Sequence, residues 1–88
     1  MKQIQPVSIW YNGLMVAATI FNLIGISDNL STSANFSYEL YTADNLFYPI
    51  ASGQLTMTGD DYITYSSSAT SNDYAYTWGA GQLNITLI

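Results

Sequence analysis

The chain lacks most of the side chains that perform chemistry in proteins. Its 88 residues include no cysteine, no histidine and one basic residue, Lys2. Without imidazole or thiol there is no Ser-His-Asp or Cys-His pair, no histidine general base near neutral pH and no zinc site of ordinary type. We therefore expect no enzyme and no cofactor, and a role that depends on packing and contact.

Charge is also scarce. Charged residues make up 8% of the chain, against about 25% in an ordinary soluble domain, and the net charge is −5. One lysine cannot neutralise a phosphate backbone or an anionic lipid surface, so neither nucleic acid nor a membrane is an expected partner. A freely soluble monomer normally displays more charge. We expect much of the surface to be covered by a partner, with a monomer solubilised by Ser, Thr and Asn as the alternative.

The length fits one β-rich domain over residues 1–88. A chain of this size buries roughly 64% of its unfolded surface and usually needs disulfides, metals or partners for stability. Disulfides are impossible here, which favours partners. No secretion signal is visible, and the longest apolar run, residues 14–26, is shorter than the ~20 residues of a membrane-spanning helix.

A β-hairpin is predicted at Asn12-Gly13, which lies between two apolar runs. Asn-Gly supplies the positive φ angles that a type I′ turn requires. The register then gives three cross-strand pairs: Tyr11 with Leu14, Ile9 with Val16, and Val7 with Ala18. Pro6 cannot donate a ladder hydrogen bond, which suggests that the first strand begins at an edge.

The remaining pattern predicts a mainly β fold, a compact antiparallel sheet or small sandwich of four to five strands with one short C-terminal helix. Strands are expected at about 4–11, 14–26, 35–42 and 50–58, and a turn or a single helical turn at 59–62. Residues 72–82 favour a helix, although Gly79 and Gly81 each cost it about 1 kcal/mol and leave a strand as the competitor. Residues 84–88 could add a final strand.

The second strand is apolar on both faces, which is typical of a central strand or of one pressed against another subunit. If Ile9 and Val16 face the core, the opposite face becomes the interface, and the inverse assignment is open. Four side chains on that opposite face are the candidate contact residues: Trp10, Met15, Ala17 and Phe21.

The sequence offers two other candidate kinds of site. Asp60 and Asp61 are adjacent, and paired carboxylates can cleave glycosides or bind calcium. A chain with one thin core can hardly wall a catalytic cleft, so solvated turn residues are the better interpretation. The aromatic residues could instead stack on sugar rings, fill the core or form an interface. The candidates for glycan contact are Trp10, Tyr41, Tyr48, Tyr65 and Trp78.

Three segments carry a resemblance to a known class of protein. They are the opening Met1-Lys-Gln-Ile-Gln-Pro-Val7, Leu55-Thr-Met-Thr-Gly-Asp-Asp-Tyr62, and Ser71-Asn-Asp-Tyr74 followed by Trp78 and Gln82-Leu83. The chain resembles small head-decoration and head-fibre proteins of tailed bacteriophages, including crAss-like phages. The resemblance implies a non-enzymatic oligomer attached to a capsid or fibre protein, and hence location in the virion, or in the cytoplasm if the protein is not viral. We expect a homo-oligomer, with a trimer favoured, and keep a glycan-binding module as the alternative.

Overall fold

A computed structural model describes all 88 residues as one open antiparallel sheet with two helices packed on it. The elements in chain order are β1 (Lys2–Tyr11), β2 (Leu14–Asp28), β3 (Ser33–Tyr41), β4 (Ala51–Thr58), α1 (Gly59–Ser67) and α2 (Ser71–Leu83). Each strand pairs with the next along the chain, so the spatial order is β1-β2-β3-β4. The predicted mainly β fold with a C-terminal helix is confirmed, in the form of a single sheet rather than a sandwich.

The β1–β2 hairpin has the predicted turn and register. Asn12 and Gly13 have φ angles of 51° and 83°, the two positive values of a type I′ turn. The three predicted cross-strand pairs are all present, from Tyr11↔Leu14 to Val7↔Ala18. The twist of this turn matches that of the flanking strands, so the two long strands continue directly from it.

Both strands of the hairpin become irregular at the same level. The β1–β2 register shifts between Gln3 and Val7, a segment that contains Pro6, which has no N–H for the ladder. At this level of β2, Ala18 and Phe21 are both 0% exposed. Residues three apart in a regular strand point to opposite faces. Between Ala18 and Phe21 the alternate side chains of β2 therefore exchange faces of the sheet. This change of face decides which of its side chains enter the core.

One face of the sheet is apolar and lies under the helices, and the other is polar along β3 and β4. The helix-covered face holds the cross-strand neighbours Phe21–Leu40–Ala51, Phe36–Leu55 and Ala34–Met57. The alternate positions carry polar side chains: Asn35, Ser37 and Glu39 on β3, and Ser52, Gln54 and Thr56 on β4. This alternation is what an antiparallel sheet with one packed face requires.

Helix α1 is longer than the sequence predicts. The expectation for residues 59–62 is a turn or a single helical turn, whereas the structure has a helix over Gly59–Ser67. Asp60 and Asp61 lie in its first turn, where acidic side chains interact favourably with the helix dipole. Tyr62 is the buried residue of the helix and attaches it to the sheet. Tertiary packing thus favours a helix that local propensity alone does not indicate.

Helix α2 spans Ser71–Leu83 and confirms the helix predicted at 72–82 over its strand competitor. Gly79 is buried because the helix approaches the sheet closely here: a Cβ at this position would lie 3.2 Å from Cζ of Phe21. The helix ends at Asn84, whose φ is 57°, and the N–H of Ile85 donates to the carbonyl of Ala80 at 2.9 Å. This is a Schellman ending, and it directs the chain back across the core.

The last residues form a short bridge on the outer side of β1. The N–H of Gln5 donates to the carbonyl of Thr86 at 2.9 Å, and the N–H of Ile88 donates to the carbonyl of Gln3 at 3.1 Å. The expected final strand is therefore present only as an isolated bridge, Ile4↔Leu87. It covers the outer edge of β1 near its start.

Candidate functional site: an exposed hairpin arm

The outer half of the β1–β2 hairpin extends beyond the rest of the sheet. Strand β3 first pairs with β2 at Ile20↔Tyr41, so the preceding residues of β2 have β1 as their sheet neighbour on one side and none on the other. We name residues 7–11 and 14–18 the hairpin arm. The molecule measures 42 × 22 × 20 Å, an elongated shape. A two-stranded ribbon is marginally stable in water by itself, so an arm of this kind gains most from a partner.

The two faces of the arm differ in exposure. Val7 and Ile9 are half-buried and pack against the core cluster that contains Phe21, which answers the open question of which face is inside. On the other face Trp10 and its cross-strand partner Met15 are 68% and 60% exposed. Ala17 is also exposed, opposite Ser8. Three of the four predicted contact residues thus lie together on an open apolar face.

The fourth predicted contact residue, Phe21, lies elsewhere. It is 0% exposed and packs edge-to-face on Tyr76 of α2, with ring centroids 5.4 Å apart and planes at 82°. The reason is the change of face within β2, which the alternation of the sequence does not reveal. Phe21 is a core residue, so the candidate surface consists of Trp10, Met15 and Ala17.

The arm also exposes backbone hydrogen-bonding groups. In a two-residue hairpin the turn is closed by Tyr11 and Leu14, whose N–H and C=O groups point at each other. Because these groups alternate in direction along an antiparallel strand, Val16 and Ala18 also face β1, while Met15 and Ala17 face outward. Nothing in the chain pairs with β2 at those two residues. The β2 side of the arm is an open strand edge.

The two edges of the hairpin differ in protection at the base of the arm. There the edge of β1 contains Pro6 and is covered at Gln3 and Gln5 by the C-terminal residues, whereas farther out, at Ser8 and Trp10, it is open. Proline, charge and covering segments are the usual means of preventing edge-to-edge pairing. The edge of β2 has none of them, because no charged residue or proline occurs from residue 7 to residue 27. The unprotected edge and the exposed face of Trp10 and Met15 belong to the same arm.

The aromatic residues considered for glycan contact are scattered. Tyr41 is buried, and Trp78 is half-buried with its ring centroid 5.8 Å from that of Phe36. Tyr65 is half-buried too, so Trp10 and Tyr48 are the two that are mostly exposed. The neighbours of Trp10 on its face are Met15, Ala17 and Ser8, which supply no amide or carboxylate for sugar hydroxyls. The surroundings of Trp10 suit an apolar contact better than a sugar.

The acidic side chains lie apart from one another and take part in local structural interactions. Asp60 and Asp61 are exposed at the start of α1, and no group of three or more acidic residues could hold a metal ion. Asp28 accepts a 2.6 Å hydrogen bond from the hydroxyl of Tyr62 and a 2.7 Å bond from the N–H of Leu30. The hydrogen bond to Asp28, with burial, raises the pKa of Tyr62 to about 12. Asp28 thereby attaches the end of β2 to α1.

Two exposed apolar residues in loops, Phe47 and Leu30, have no counterpart in the sequence analysis. Phe47 is 89% exposed between Leu46 and Tyr48 in the β3–β4 connection, where a run of three large apolar residues beside turn residues was the available signal. Leu30 is exposed in the β2–β3 loop with a φ of 59°. The Oδ1 atom of Asn29 stabilises that loop by accepting hydrogen bonds of 2.8–3.0 Å from the backbone N–H groups of Ser31, Thr32 and Ser33.

Comparisons with known proteins found no matching family model, no matching curated protein and no matching solved structure. Neither helix combines the length and the hydrophobicity needed to cross a membrane. The functional interpretation therefore depends on the geometry of the arm and on the resemblance given by the sequence motifs.

Proposed function

We propose that this chain is a non-enzymatic structural protein that associates with copies of itself through the hairpin arm, as a capsid-decoration or head-fibre module of a virion. The arm supports the self-association. The motif resemblance to phage head proteins supports the virion setting. The single observation that carries the proposal is the uncharged face of Trp10, Met15 and Ala17 beside an unpaired strand edge.

Burial of this face supplies the driving force. Apolar surface removed from water contributes roughly 25 cal/mol per Å², and a large aromatic side chain can bury about 150–250 Å². Trp10 exposes more than two thirds of its side chain and Met15 more than half. Unpaired strand edges add backbone hydrogen bonds when a second strand is added to them. The arm therefore offers exposed apolar surface and unpaired backbone hydrogen-bonding groups at one place.

The charge distribution favours a second copy as the partner. The chain has a net charge of −5, so most contacts between copies would bring like charges together. No charged residue lies between Lys2 and Asp28, which leaves the arm as a neutral region of both copies. A foreign basic partner would find no carboxylate on the arm. Copies of the arm can meet without bringing charged side chains into direct contact.

The test is the mass in solution by light scattering across a dilution series, with circular dichroism on the same samples. We expect a folded oligomer that dissociates on dilution. The variant Trp10→Ser with Met15→Ser should remain folded and monomeric at every concentration. Phe47→Ser is the matched control, because it removes an even more exposed aromatic side chain outside the arm and should leave the mass unchanged.

A folded wild-type monomer at all concentrations would overturn self-association and direct attention to the glycan alternative, tested by binding to a glycan array with Trp10→Ala as control. The virion setting has its own test, an antibody against the chain applied to purified phage particles from its source. Labelling of the particles is expected. Particles that contain no trace of the chain would contradict the virion setting and leave the association result unaffected.

A further inference from the structure

We infer that two copies join through the β2 edges of their arms, antiparallel about a two-fold axis at Val16, so that the two hairpins form one four-stranded ribbon. This inference rests on the proposed self-association and specifies its geometry. A two-fold contact of this type uses the same residues on both copies and closes on itself. It removes the unprotected edge from solvent.

The backbone groups of β2 fit this axis. Met15 and Ala17 direct their N–H and C=O groups outward, one on each side of Val16. In an antiparallel pair centred on Val16, Met15 of one copy lies opposite Ala17 of the other, and each such pair exchanges two hydrogen bonds. Two pairs give four bonds between the copies. Val16 meets its own counterpart in a pair without hydrogen bonds, where the Cα atoms are about 4.5 Å apart.

The side chains fit the same register. Within one arm Trp10 lies beside Met15, and Ser8 lies beside Ala17. Pairing the two copies extends each row across four strands, in the order Trp10, Met15, then Ala17 and Ser8 of the second copy. The two large side chains of each row therefore adjoin the two small ones, and no pair of large residues collides at the axis. Such cross-strand packing is the unit of sheet stabilisation.

The buried area agrees with a modest but specific dimer. Pairing two short edges side by side brings Met15 and Ala17 into contact and leaves Trp10, on the outer strand, largely open, so the interface falls in the small class, below about 1,200 Å² in total. We therefore expect a dimer that dissociates on dilution. The other open edges differ from this one: β4 carries Ser52, Gln54 and Thr56 on its open face, and β1 is open only beyond Pro6.

An introduced cysteine tests the axis directly, because the chain contains no cysteine of its own. The variant Val16→Cys places two thiols at Cα atoms about 4.5 Å apart, within the range of a disulfide. On mild oxidation we expect most of the protein to become a covalent dimer on non-reducing gels. Gln54→Cys on β4 is the matched control and should form no covalent dimer on the same gels. A cross-link through Gln54→Cys, or none through Val16→Cys, would overturn the β2 pairing.

The outward N–H groups give a second readout that does not depend on cysteine. The amides of Met15 and Ala17 should exchange with solvent at least 10-fold more slowly in concentrated than in dilute wild-type protein. The amide of Val16 already bonds to β1 and should change less. Equal exchange of Met15 and Ala17 at both concentrations, in protein that light scattering shows to be oligomeric, would contradict the inference.

The variant Ala17→Pro removes one outward N–H and leaves the β1–β2 ladder and the apolar face in place. We expect it to be monomeric with an unchanged circular dichroism spectrum. An Ala17→Pro oligomer, or a wild-type trimer, would overturn the two-fold pairing while leaving self-association standing. A wild-type monomer at every concentration would overturn both proposals, so the two failures are distinguishable.

Discussion

The body of the molecule and its hairpin arm are built from similar apolar residues but differ in what covers them. In the body, from Ile20 onward, the sheet is packed under two helices, and Phe21 and Met57 are completely buried. In the arm, Trp10 and Met15 are mostly exposed. Hydrophobicity alone therefore does not identify core residues in this chain. What decides is whether the side chain lies on the face of the sheet that the helices and the core cover: Ala18 of the arm is buried on that face, whereas Ile24 of the body is exposed on the other.

The difference has a direct energetic consequence. A buried side chain contributes its transfer free energy and the packing of its surroundings, whereas an exposed one contributes to folding only weakly. The same exposed side chain is available to contribute to association. We expect substitutions in the body to affect the free energy of unfolding and substitutions on the arm face to affect the mass in solution.

The largest expected effect is that of Phe21→Ala. Removing this ring, packed on Tyr76 and close to Gly79, should lower the free energy of unfolding by about 3–5 kcal/mol. Urea titration followed by circular dichroism measures the change. Trp10→Ala is the matched control, and in dilute protein it should cost less than about 1 kcal/mol because the side chain is exposed.

Since Phe21→Ala could prevent folding in so small a domain, Phe21→Leu provides a milder test, in which the free energy of unfolding should also fall but by less. Equal losses of unfolding free energy for the Phe21 and Trp10 variants in dilute protein would contradict the division into a packed body and an arm with one uncovered face.

A smaller effect is expected from Gly13→Ala at the tip of the arm. Gly13 has a φ of 83° with open space around it, so an added Cβ meets no atom but favours a different backbone conformation, at a cost of about 1–2 kcal/mol. Amide exchange should accelerate in the arm and stay unchanged at Phe21 and Leu40 of the body. Gly25→Ala is the control, because that glycine also has open space but no positive φ.

If Gly13→Ala instead accelerates exchange throughout the body by the same factor, the arm and the body unfold as one unit. That outcome would contradict the independent behaviour expected of a two-stranded ribbon that is covered on one face only at its base.

Much of the fold follows from local signals. Asn12-Gly13 determines the hairpin and its register, and the alternation at Phe36, Tyr38 and Leu40 identifies the packed face of β3. These signals depend on residues adjacent in the sequence, so they can be recognised without tertiary information. The arm residues Trp10, Met15 and Ala17 were identified for the same reason, since they alternate regularly from the turn.

The parts that sequence reasoning missed depend on contacts between distant residues. Strict alternation places Phe21 on the exposed contact face with Met15 and Ala17, which is wrong. Strand β2 changes face beside the irregular segment around Pro6, and a period of two cannot describe such a change. Gly79 weakened the prediction of α2, yet it is required where the helix approaches Phe21. Helix α1 is stabilised by the packing of Tyr62 and its hydrogen bond to Asp28, which lies 34 residues earlier. Each case is a long-range effect.

The smallest expected effect concerns pH and is confined to the body. The bond to Asp28 and burial raise the pKa of Tyr62 from its ordinary value of 10 to about 12. The folded state therefore retains the phenol proton that the unfolded chain releases, so the contribution of this group to stability is complete below pH 10 and is lost as the pH rises towards 12. Tyr62→Phe abolishes that contribution. The difference in free energy of unfolding between wild type and variant, measured by urea titration, should be constant from pH 7 to 9 and should shrink above pH 10. Tyr41, whose pKa is also raised by burial, is present in both proteins and does not distinguish them. A difference that stays constant up to pH 12 would show that the bond between Tyr62 and Asp28 does not couple α1 to the end of β2.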